Sequence, residues 1–120
     1  MQQIRQQFVT IPVGTALSNA SADMQNETLV GVIMPAGWDA AALTFQGSID
    51  GVTFGNIFTA SGELSFPSAD VAAGNMLAFD NHLTALVRFV IVRSGVSASP
   101  VNQTANRVLT LLTRDMTRGS

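Results

Sequence analysis

The chain has 120 residues, 47% of them hydrophobic and only 12% charged, which suits one compact domain and is the opposite of a disordered, highly charged segment. With no cysteine and a single histidine, His82, it lacks the means for a disulfide framework, a thiolate zinc site, a thiol nucleophile or a histidine-based metal cluster. A net charge of −2 argues against nucleic acid or an acidic membrane surface as partner, and the absence of lysine excludes Schiff-base and phosphate-loop lysine chemistry.

In chain order, residues 1–13 are polar and rich in glutamine, with Phe8 and Ile11 ahead of Pro12, and read as an N-terminal arm or an edge strand. They carry no apolar signal core, so a secretory route is not expected, nor is glycosylation at the Asn-x-Ser/Thr matches of Asn19, Asn26 and Asn102. No run reaches the roughly 18 apolar residues of a transmembrane helix. Residues 14–26 are small and polar without a helical period, a loop with one short strand at 15–18. Residues 27–34 form a near-continuous apolar run stopped by Pro35-Ala36-Gly37, the pattern of a buried central strand.

Leu43, Phe45, Gly47 and Ile49 then alternate with polar or small residues, and Asp50-Gly51 suits a two-residue type I′ turn. The return strand, 52–58, places Val52, Phe54 and Phe58 on one face, completing a predicted hairpin. A short strand at 64–66 closes at Pro67, residues 68–75 have room for one helical turn capped by Ser68, and 76–79 is another short strand. Residues 86–94 are β-branched on both faces, as in a central strand. A Gly/Ser/Pro/Asn loop at 95–105 leads to a last strand at 108–113 and a polar tail at 114–120. About eight strands spaced roughly ten residues apart predict an all-β domain over 14–113, an antiparallel β-sandwich or jelly roll.

Candidate chemistry is sparse. The eight acids sit mostly at turns and strand ends, where turn and cap roles are expected in place of a catalytic carboxylate pair about 5 to 9 Å apart. His82, in Asp80-Asn81-His82, has no candidate nucleophile near it in sequence, and Asp39, Asp50 and Asp80 lack the spacing of a calcium loop. Neither catalysis, nor a metal, nor a cofactor is expected. Trp38 either stacks on a sugar or anchors an interface, or it closes the end of the sandwich; the phenylalanines are expected in the core. Arg88 and Arg93 lie on opposite faces of one strand, and Arg93 is expected hydrogen-bonded at the rim.

Two stretches carry a family resemblance. Leu29-Val30-Gly31-Val32-Ile33-Met34-Pro35-Ala36-Gly37-Trp38-Asp39, continuing through Leu43-Thr44-Phe45-Gln46-Gly47-Ser48-Ile49-Asp50-Gly51, is followed later by Leu86-Val87-Arg88-Phe89-Val90-Ile91-Val92-Arg93-Ser94-Gly95 and Pro100-Val101-Asn102-Gln103. Together they resemble a group of small proteins encoded among the virion structural genes of tailed bacteriophages. The same order also looks like discoidin-type, galactose-binding-like jelly rolls, although the long spike loops and cysteines of those domains are missing here. The phage resemblance implies a non-enzymatic capsid cement or decoration protein on the virion surface, made in the host cytoplasm and trimeric at threefold positions. Its partners would be the major capsid protein or other virion proteins, not nucleic acid or membrane. A carbohydrate-binding module or accessory protein of a tail fibre or spike is the alternative. Interface candidates are Gln3, Ile4, Arg5, Phe8 and Trp38, with the arm expected to order against another subunit.

Overall fold

A computed structural model describes residues 4–72, 74–78 and 87–115. It is all-β: twelve strands are assigned among the described residues, more fragmented than the expected eight. They are β1 (Ile4–Ile11), β2 (Ala22–Asp23), β3 (Glu27–Ile33), β4 (Leu43–Ser48), β5 (Gly55–Asn56), β6 (Phe58–Thr59), β7 (Gly62–Glu63), β8 (Ser65–Phe66), β9 (Met76–Ala78), β10 (Phe89–Val96), β11 (Ser99–Pro100) and β12 (Arg107–Asp115). A four-stranded antiparallel sheet, ordered β1-β12-β3-β9, packs on a six-stranded one built around β11-β10-β4-β5, with β2 on β10 and β8 on β4; β6 and β7 form a separate ribbon.

The core lies between the sheets, where alternation directs one side chain in two inward. Val9 and Ile11 of β1, Leu109 and Leu111 of β12, Leu29 and Val32 of β3 and Leu77 of β9 meet Leu43 and Phe45 of β4 and Val90 and Val92 of β10. Leu29 and Val32 are three apart and should face opposite ways. The register of β3 on β12 slips between Leu112↔Gly31 and Thr113↔Leu29, leaving Val30 as the extra residue of a bulge, so that Leu29 before it and Val32 after it both reach the core. This is why residues 27–34 read as one continuous apolar run.

Several expectations need correction. Of the two readings of residues 1–13, arm or edge strand, the described residues form the edge strand, β1, so its order does not require another subunit. It pairs with β12 over all eight residues, from Ile4↔Arg114 to Ile11↔Arg107, as the edge strand of its own sheet. Arg114 and Asp115 continue β12, so strand pairing runs past both ends of the 14–113 span.

The β4–β5 hairpin exists, with Gln46↔Asn56 and Gly47↔Gly55 paired, but its connection is a wider loop than a two-residue turn. Ser48 Oγ accepts from the amides of Asp50 and Gly51, and Asp50 Oδ1 accepts from those of Val52 and Thr53. Among the two, only Gly51 has a positive φ, which rules out type I′ geometry. Ile49, Val52 and Phe58 are consequently exposed and not core. Among the described residues of 68–75 no helix is assigned: Ser68, Ala69 and Asp70 form a turn closed by the Asp70 amide on the Pro67 carbonyl.

Candidate docking face

Antiparallel sheets in sandwiches ordinarily turn polar residues outward. The outer side of the four-stranded sheet departs from that rule. One cross-strand row runs Phe8–Thr110–Ile33–Met76, set by three successive registers. A second runs Gln6–Leu112–Gly31–Ala78, and a third pairs Thr10 with Val108. Phe8 is 64% exposed, Met76 70%, and Ile4 and Val108 49% each, while Ile33 and Leu112 are half-buried between them. A fourth pair, Ile4 with Arg114, adds the one charged side chain of this face among the described residues. With strands about 4.8 Å apart and some seven residues long, the face spans on the order of 400 Å², the size of a functional patch on a small monomer.

Charged groups are engaged elsewhere. At the open end of the sandwich Arg5 turns inward, and its Nε donates to both carboxylate oxygens of Glu27 at 2.8 and 3.0 Å. Thr113 Oγ1 donates to the same carboxylate at 2.7 Å. Arg88 donates to Asp23 at 3.0 and 3.2 Å on the surface, and this hydrogen bond, ahead of other causes, holds the Asp23 carboxyl below its ordinary value.

Arg93 sits on the side of β10 opposite the core residues Val90 and Val92, yet it is only 4% exposed. Its guanidinium donates to Thr44 Oγ1, Asn56 Oδ1 and Glu63 Oε2 at 2.9, 2.8 and 2.8 Å. The expected hydrogen bonding is present; the expected rim position is not, because Asn56 and Glu63 close over the strand. At the opposite end Gln103, 1% exposed, accepts from the Asp39 amide and Arg107 Nε and donates to Ser94 Oγ. Asp39 in turn accepts from the amide and hydroxyl of Thr104, which lowers its pKa.

Of the interface candidates, Ile4 and Phe8 lie on the apolar face and Arg5 is paired inward. Gln3 lies outside the described residues. Trp38 does not join the face: it is half-buried against the core, and its Nε1 donates to the Ala41 carbonyl at 3.2 Å. His82 and Asp80 are also outside the described residues. Asp50 is held by the amides of its own loop and Asp39 by the amide and hydroxyl of Thr104, and no three potential metal-ligating side chains converge among the described residues. A cleft of about 410 Å³ opens between residues 14–17 and the Pro100–Asn102 side, with Arg93 on its wall, but its lining contains no aromatic ring. Sequence reasoning missed Val108, Leu112, Ile33 and Met76, each of which reads as a core residue when its strand is taken alone. Compared with known proteins, the chain matches no protein-family model, no curated protein sequence and no solved structure.

Proposed function

We propose that the chain is a non-enzymatic structural protein of a phage virion, a capsid cement or decoration protein that docks through the outer face of its four-stranded sheet. The observation that carries this is the row Phe8–Thr110–Ile33–Met76, uncharged throughout and exposed at both ends, where a solvated sheet would be polar. Burying it removes apolar surface from water while desolvating few charges, which favours association. The resemblance in residues 29–51 and 86–103 supplies the setting, a virion surface. Binding to the assembled shell and not to its free subunits would stabilise the shell by mass action. The sugar-binding alternative rested on Trp38 as the stacking ring, and Trp38 is packed against the core with its Nε1 bonded to the Ala41 carbonyl.

Particles of the encoding virus assembled without this protein provide the test. The recombinant chain should bind them saturably and raise their disruption temperature, and Met76→Glu with Val108→Glu should abolish binding without unfolding the chain. Unchanged binding by that double variant would refute the docking face.

A further inference from the structure

The edge of β1 offers a second kind of contact, independent of the docking face. Thr10 directs its carbonyl away from β12, where it accepts from the Asn19 amide at 2.9 Å. In an antiparallel ladder, alternate residues direct their N–H and C=O the same way, so Phe8, Gln6 and Ile4 also present theirs at the open edge. No described residue bonds to those groups. The available edge therefore runs from Ile4 to Phe8, ends where Asn19 caps Thr10, and has Gln6 at its midpoint.

We propose that this edge pairs with the same edge of a second copy, antiparallel, about a two-fold axis through Gln6. That register sets Ile4 opposite Phe8 of the partner subunit on the outer face, and Arg5 opposite the partner's Gln7 on the inner one. All three outward residues of each copy then exchange ladder hydrogen bonds. The neighbouring registers are worse. An axis through Arg5 places two guanidinium groups face to face, and like charges directly opposite are destabilising. An axis through Gln7 brings Ile4 against Thr10 of the partner subunit, whose carbonyl Asn19 already occupies. Pairing about Gln6 joins two four-stranded sheets into one continuous sheet and extends the apolar face across the axis.

A two-fold closes as a dimer, in contrast to the trimer that the resemblance implies, and the absence of cysteine makes the register directly readable. Directly opposed residues in a hydrogen-bonded pair have Cα atoms about 5.5 Å apart, within disulfide range. Gln6→Cys should therefore give a disulfide-linked dimer on mild oxidation. Ile4→Cys and Phe8→Cys should not link alone, because like positions lie about 13 Å apart, but should link when the two are mixed. Gln6→Pro removes only an outward N–H, which edge strands tolerate, and should weaken dimerisation more than about tenfold in sedimentation equilibrium, with an unchanged circular dichroism spectrum. A wild-type chain that stays monomeric up to about 100 µM, or sediments as a trimer, overturns the proposal. So does equal cross-linking at all three positions. None of these measurements involves a particle, so failure here leaves the docking-face test to stand or fall by itself.

Discussion

Glu63→Ala is the sharpest probe of how the six-stranded sheet is held. The Arg93 side chain is 5% exposed and that of Glu63 13%. Removing the carboxylate leaves a buried guanidinium with two neutral acceptors, Thr44 Oγ1 and Asn56 Oδ1, and takes away the acceptor of the Ser97 amide. Breaking one partner of a buried pair costs about 3–5 kcal/mol. The two surviving acceptors and the slight exposure of Glu63 place the expected loss near the lower end, about 3 kcal/mol.

Urea unfolding followed by the fluorescence of Trp38, the sole tryptophan, measures it. With an m-value of about 2 kcal/mol/M, the midpoint should fall by about 1.5 M. Glu63→Gln retains an acceptor and should cost about half as much. Arg93→Met combined with Glu63→Met removes both charges and should recover most of the loss, since Thr44 Oγ1 remains bonded to the Gly95 carbonyl at 2.6 Å. A loss below about 0.5 kcal/mol for Glu63→Ala, as at a surface pair, would refute the reasoning.

Gly95 has φ +91, and a Cβ there would lie 2.6 Å from the Val101 amide nitrogen, so Gly95→Ala should destabilise strongly, whereas Gly55→Ala, with nothing within 4 Å, should be near neutral in the same melts. Ile11→Ala, in the core, should cost about 2–5 kcal/mol, while Phe8→Ser on the exposed side of the same strand should stay within about 0.5 kcal/mol. The amides of Thr53 and Val52, then Ser48, hold the Asp50 carboxyl at about 2, below its ordinary 3.8, so its contribution is present above pH 3.8 and is lost as pH falls towards 2. The difference in urea midpoint between wild type and Asp50→Asn should therefore shrink between pH 5 and pH 2; a constant difference would contradict this.

Strand existence was legible where apolar runs are long, and β3, β4, β10 and β12 follow from them. Facing was less legible. β10 is apolar on both sides because Val90 and Val92 enter the core while Phe89 lies under the 49–53 loop, its ring 3.2 Å from where a Cβ on Gly51 would stand. Parity alone therefore cannot choose between its two faces. The bulge at Val30 defeats alternation in the same way. The candidate docking face was not legible because Phe8, Ile33, Met76 and Val108 are far apart in the chain and become neighbours only through the β1-β12-β3-β9 register. Gln103 gave no signal at all: a glutamine in a polar loop looks solvated until Asp39, Ser94 and Arg107 are seen around it.

The two sheets differ in what happens on their outer sides, and the difference is informative because both belong to one chain of low charge. Over β4 and β10, residues of β5 and β7 supply Asn56 and Glu63, which reach Arg93 and bury Thr44 completely. A polar group placed there had to be given partners, and the chain provides them. Over β1, β12, β3 and β9 no described element supplies an equivalent cover, and there Ile4, Phe8, Ile33, Met76, Val108 and Leu112 share the outer side with Gln6, Thr10, Thr110 and Arg114. If that face were simply solvated, selection for solubility would favour charged residues at positions such as Phe8 and Met76, where exposure makes substitution nearly free of structural cost. An exposed aromatic and an exposed methionine at the two ends of one row fit the proposed docking, in which a partner would bury both. Under the proposed docking, the sheet that lacks a cover among the described residues is the one that a partner would cover.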